Sequence, residues 1–189
     1  MAMQETYRPL FHEIFTKVNN AKDKPKKLAV LKQYRTASLE MFLKASFDPQ
    51  ITWMLPEGDV PYMPNEAPEG TEHTILEREV GKLHNYVQRE TDDGPIVGNP
   101  SLNKMKREMM FVQMLEGLSE GEAQCTLLAK DQALNKKYKG LTANLIKEAF
   151  GWDENFVEVN NPGYNRRAQP VDLGRTQADI DYVNRTGHQ

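Results

Sequence analysis

The sequence predicts an all-α fold, a single multi-helix domain with an irregular C-terminal tail. Three observations carry this. Apolar residues recur at helical spacing from Leu10 to Val18, from Leu28 to Phe47 and from Leu102 to Phe150. Proline and glycine clusters at 56–70 and 92–101 punctuate the pattern as loops. No run shows the period-two alternation of a half-buried strand. The chain has 189 residues, enough for one domain with a real core. Its 39% hydrophobic content is low for a globular chain, which fits a folded body carrying loosely tied segments.

The elements follow in order. Leu10, Phe11, Ile14, Phe15 and Val18 mark a first helix, broken at Asn19-Asn20. A second runs from about Lys24 to Tyr34, with Pro25 in its first turn, where the missing N–H costs nothing. A third begins near Ser38 and stops at Asp48-Pro49, because the residue before proline avoids the helical region. The segment 56–70 holds four prolines and two glycines and reads as an extended surface loop pinned by Trp53, Leu55 and Tyr62. A helix from Thr71 carries Ile75, Leu76, Val80, Leu83 and Val87 and ends at Asp92-Asp93-Gly94-Pro95. The next, from about Leu102 to Leu115, bears a stripe with Met105 and Met109, read as adaptable core packing in preference to a cofactor or peptide groove. Ser119 caps a helix with acids in its first turn. Thr142 to Phe150 is the last strong helix, with Gly151 its stop. The helical domain is thereby placed at 1–152. The tail, 153–189, is expected to be flexible or ordered by a partner, with a short helix around Thr176 to Val183.

The single cysteine, Cys125, rules out an internal disulfide and reads as a small core residue, with a reducing, intracellular setting as the default. No stretch approaches the ~20 apolar residues of a spanning helix, and the first residues lack a secretory layout, so no membrane partner is expected. The four histidines fit no compact metal motif. The phosphate loop, the nucleophile elbow and the Cys-x-x-Cys pattern are all missing from the sequence. The expectation is a non-enzyme with no cofactor, no catalytic residue and no metal ligand.

An internal echo relates Lys27–Tyr34 followed by Leu43–Phe47 to Cys125–Gln132 followed by Ile146–Phe150. It points to two pseudo-repeated helical halves, against chance recurrence of short helical patterns. Charge follows the echo. The net charge is −3, yet Lys17, Lys22, Lys24, Lys26, Lys27, Lys32, Arg35 and Lys44 face only Asp23 and Glu40 between residues 16 and 44. Lys130, Lys136, Lys137, Lys139 and Lys147 face only Asp131. Lysines grouped near connectors suit a phosphate backbone, and a solvated lysine surface is the competing reading. The sharpest feature is Asn135 to Asn144. Gly140 precedes a helix that Thr142 can cap, leaving backbone N–H groups for an anion. The candidate DNA-contacting residues are Lys24, Lys26, Lys27, Lys136, Lys137, Lys139, Gly140, Thr142 and Asn144.

The run from Glu116 to Gly151, with Leu127-Leu128-Ala129-Lys130-Asp131-Gln132-Ala133-Leu134 and then Tyr138 to Phe150, resembles the N-terminal α-helical DNA-binding domain of ATP-dependent DNA ligases. Lys26-Lys27-Leu28-Ala29-Val30-Leu31 resembles that domain's opening helices. The similarity spans about residues 7–152, and the loop at 56–70 has no counterpart in it. The resemblance implies duplex DNA, held through phosphates and the minor groove, as partner. The Lys-x-Asp-Gly motif that carries adenylate does not occur, so ligase activity is not implied. The whole chain, through Phe47-Asp48-Pro49, Trp53 to Gly58 and Tyr138 to Thr142, also resembles an uncharacterised family of large tailed phages. That resemblance implies the cytoplasm of an infected host, or the virion, as location. The expected role is a sequence-independent duplex-DNA-binding accessory protein. The alternative is a virion or protein-interaction component, or a polymerase or replisome regulator, docking on a phage or host protein through the proline-rich loop and the tail.

Overall fold

The computed structural model describes residues 7–68 and 70–159. The chain opens with three helices: α1 (Phe11–Asn20), α2 (Lys24–Gln33) and α3 (Ala37–Phe47). Strand β1 (Ile51–Trp53) and the proline-rich loop follow. Then come α4 (Leu76–Glu79), a 3-10 helix (Val80–Asn85), β2 (Val87–Arg89) and β3 (Ile96–Val97). The last four helices are α5 (Lys104–Gly117), α6 (Glu120–Lys130), α7 (Leu134–Lys137) and α8 (Ala143–Phe150).

The fold is predominantly helical and corrects the all-α expectation, because β1, β2 and β3 form a small antiparallel sheet. Ile51 pairs with Arg89, Trp53 with Val87, and Arg89 with Ile96. The expected helix from Thr71 is cut short after one turn, and Val87 lies in a strand. Gly81 sits in mid-pattern, where it disfavours a continued helix. The β-branched and aromatic Tyr86-Val87 then find a partner in β1. Asp92-Asp93-Gly94 is the hairpin turn between β2 and β3, with Gly94 at φ 107°, a value that glycine adopts without strain.

Five helices are capped by the residue expected from its type. Asp23, Thr36, Asn103, Ser119 and Thr142 each accept the N–H three residues on. Helices α1 and α4 instead begin after Leu10 and Ile75, which offer no side-chain oxygen. Glu13 accepts the Leu10 N–H at 2.7 Å at the start of α1. Beside both starts stands Glu122 of α6, only 1% exposed. It accepts the Leu76 N–H at 2.8 Å, and the Phe11 amide is turned toward the same carboxylate. Burial pushes Glu122 up to about 7, although both amides favour the ionised form.

The core has two aromatic centres. Phe11, Phe15, Phe42 and Tyr138 join α1 and α3 to the connector before α8, with Phe15 and Tyr138 centroids 5.6 Å apart. Trp53, Tyr86 and Phe111 join the sheet to α5. Helix α5 turns Arg107, Phe111, Met114 and Leu115 inward. Met105 and Met109 are exposed, contrary to their reading as core. Both faces of α5 carry apolar residues at helical spacing, so periodicity alone could not choose between them.

The proline-rich loop is pinned mainly by Lys130, whose ammonium is buried. It donates to the carbonyls of Pro56 (2.7 Å) and Gly58 (3.1 Å) and pairs with Asp131. Tyr62 is held by Gln124 as well. Of the expected tail, Asp153–Val159 folds back onto α8. The Val159 N–H donates to Gly151 O, and Phe156 is buried against Trp152. The remainder of the tail, with the expected Thr176–Val183 helix, lies outside the described residues.

Two stability predictions follow from these buried charges. Because the folded state favours protonated Glu122, its contribution is complete below the ordinary carboxylate range and is lost as pH rises through about 7. Chemical unfolding should show wild type gaining on E122Q by about 3 kcal/mol between pH 8 and pH 4; parallel profiles would refute this. K130M should lose about 3 kcal/mol, since Asp131 and two carbonyls lose their partner. It should also open the 56–70 loop to limited proteolysis.

Candidate nucleic-acid interface

The site is built where α1 ends. Asn19, which the sequence marks only as a helix breaker, accepts the Gly140 N–H with its Oδ1 at 3.1 Å. Gly140 lies so close to α1 that a Cβ there would stand 3.3 Å from both Asn19 Cα and Val18 O. The same Cβ would collide with the Lys27 ammonium. Glycine is therefore favoured here by close approach, not by backbone twist. On the other side of the connector, Tyr138 is buried, and its hydroxyl meets Cys125 Sγ at 3.3 Å. Burial raises both groups, the thiol to about 11, so Cys125 is an inert core residue, as read from the sequence.

This junction brings the first turn of α2 to the α7–α8 connector, and α2 packs along α8. Lys27 of the first lysine segment thus meets Gly140 of the second. The individual lysines differ in their partners. Lys24 pairs with Glu148 of α8 at 2.5 Å. Lys26 pairs with Asp23 at 3.0 Å. Hydrogen bonding from the Lys26 side chain holds Asp23 below the usual carboxylate range. Lys136, Lys137 and Lys139 are exposed, with the Lys137 ammonium 5.6 Å from the Tyr138 ring centre. Thr142 caps α8 through the Leu145 N–H at 3.3 Å, and Asn144 lies exposed in its first turn. Lys27, Lys136 and Lys139 have no acidic partner among the described residues.

Two lysines of the second segment do not join this surface. Lys130 is the loop's buried anchor. Lys147 is drawn to Glu154 at 2.6 Å and lies over the Phe156 ring. The sequence carried a signal for Lys130, since it continues the face of Cys125, Thr126 and Ala129, all fully buried. Glu122 extends that face in the other direction.

A model for a family of unknown function, DUF6433, matches residues 14–136. The chain belongs to that family. The match runs from α1 into α7 and stops before the connector with Gly140. No curated protein and no solved structure matches the chain. Among the described residues, no helix is long and apolar enough to cross a membrane.

Replacing Gly140 tests the close approach. G140V should cost about 1–3 kcal/mol in urea unfolding, because the Asn19 and Val18 backbone must give way. An unchanged midpoint would mean that α1 and the connector are not in contact.

Proposed function

We propose that this protein is a non-enzymatic, sequence-independent duplex-DNA-binding accessory protein. The observation that carries the reading is the meeting of Lys27 with Gly140, which joins two lysine segments more than a hundred residues apart in the chain. Lys136 and Lys139 stand exposed beside that junction in sequence, and the neutral-capped start of α8 follows it. Such a surface offers cations and the first-turn N–H groups of α8 to phosphates, while the Gly140 and Leu141 N–H groups are already held by Asn19 and by Tyr138 O. Lys24, Lys26 and Lys137 extend it. The acidic total does not argue against a basic face, since ten acids lie between residues 57 and 93.

The reading of two pseudo-repeated halves has structural support. α2 packs on α8, while α3 packs on α6, the reciprocal contact that a two-fold repeat requires. Thr36-Ala37-Ser38-Leu39 and Thr142-Ala143-Asn144-Leu145 also start α3 and α8 with the same cap. The tailed-phage setting rests on the whole-chain resemblance alone.

A second reading has its own observation. Met63, Met105 and Met109 are exposed by 79%, 78% and 55%, and the Met63 N–H donates to Glu116 of α5. Exposed methionines suit an adaptable protein contact, as a virion or partner-docking component would need.

Electrophoretic mobility shift across a salt series tests the first reading. Wild type should retard duplexes of unrelated sequence alike at about 50 mM salt and lose affinity steeply as salt rises. The triple variant K27Q/K136Q/K139Q should flatten the slope of log K against log salt by about 2–3. Absence of retardation at low salt, or binding indifferent to salt, would refute it.

A further inference from the structure

The lysines of the surface fall into two classes. Lys27, Lys136, Lys137 and Lys139 have no acidic partner among the described residues, Lys137 lying over the Tyr138 ring. Lys24 and Lys26 are each occupied by an acid of the same surface. Glu148 reaches Lys24 from the last turn of α8, with both side chains about half or more exposed. Asp23 does two things at once. Its Oδ1 caps α2 by accepting the Lys26 N–H, and its Oδ2 pairs with the Lys26 ammonium at 3.0 Å. Neither acid is buried, and neither pair is needed for packing. Exposed pairs of this kind add little stability. A carboxylate and a phosphodiester each carry one negative charge, and each accepts a charge-assisted hydrogen bond from a lysine.

We propose that Glu148 and Asp23 are intramolecular stand-ins for phosphate, occupying Lys24 and Lys26 on the unbound surface and exchanged for DNA phosphates on binding. The inference rests on the DNA-binding reading and adds to it the residues that limit affinity. Lys27, Lys136 and Lys139 make the first contacts. Lys24 and Lys26 join only when their acids let go. A lysine released from an acid leaves that acid to collect a cation from solution. The exchange therefore releases fewer counterions than a free lysine would. Glu148 and Asp23 keep the protein's hold on duplex DNA weak and its salt dependence shallow.

The two acids can be neutralised with little risk to the fold. Asn is as good a helix cap as Asp, so D23N keeps α2 closed. E148Q removes a negative charge from the C-terminal turn of α8, where it opposes the helix dipole.

The test is a double-mutant cycle on Lys24 and Glu148, read as duplex affinity over a salt series. E148Q should tighten binding about threefold to tenfold at low salt and steepen the salt slope by about 1. K24Q alone should have a small effect, because its lysine is already occupied. In the E148Q background, K24Q should abolish the gain. D23N should behave as E148Q does, through Lys26. If E148Q leaves affinity unchanged, or its gain survives K24Q, the acid acts only through the general field, and the exchange is refuted while DNA binding stands. If wild type, E148Q and D23N all fail to retard duplex at low salt, the DNA-binding reading falls and this inference falls with it.

Discussion

The close approach of Gly140 to the end of α1 governs how the proposed DNA-binding surface is assembled. Lysines at 24–27 and 136–139 could lie anywhere on a helical body if only their helices were known. The Asn19 side chain on the Gly140 amide, with Tyr138 anchored beside Cys125, removes that freedom. A side chain at position 140 would displace the Lys27 ammonium and crowd the Val18 and Asn19 backbone of α1. The cost of bringing like charges together is met by packing, because α2 and α8 share apolar contacts beneath them. It is met partly by Glu148 and Asp23 as well, which pair with two of the lysines.

Buried charge plays a different part on the rest of the molecule. Glu122 stands where α1 and α4 begin after apolar residues; it accepts the Leu76 N–H of α4, while Glu13 accepts the Leu10 N–H at the start of α1. Lys130 supplies donors to a loop whose prolines prevent it from satisfying its own carbonyls. Each is an ionisable group used as a hydrogen-bonding post, at a desolvation cost that only a well-partnered group can offset. Both lie on α6, which makes that helix the link between the N-terminal helices and the loop.

The main helices were legible because their signals are local. Ser119 and Thr142 were readable as caps, Pro25 fits a first turn, and Gly151 takes a left-handed stop at φ 69°; the Asp23 and Thr36 caps are added by the structure. The sheet was not legible, since strands of two or three residues are too short for alternation to show. Val80 and Leu83 sit at helical spacing in a 3-10 segment, which period alone does not separate from an α-helix. For the site, the lysine segments and the Gly140–Thr142 helix start were readable. The partners that decide each lysine's state were not, because Lys24–Glu148 and Asn19–Gly140 are contacts across more than a hundred residues of chain. Met105 and Met109 were misplaced for a related reason: which apolar face of α5 is inward depends on where the sheet lies.

On the proposed reading, the surface combines free ammonium groups with others paired to acids, beside the close approach at Gly140. The most direct measurement of this account is differential lysine acetylation, mapped by mass spectrometry with and without a generic duplex. The account expects Lys27, Lys136 and Lys139 to be protected together by DNA while Lys104 and Lys106 on α5 react unchanged. Protection of the α5 lysines instead, or uniform reactivity at every lysine with duplex present, would contradict it.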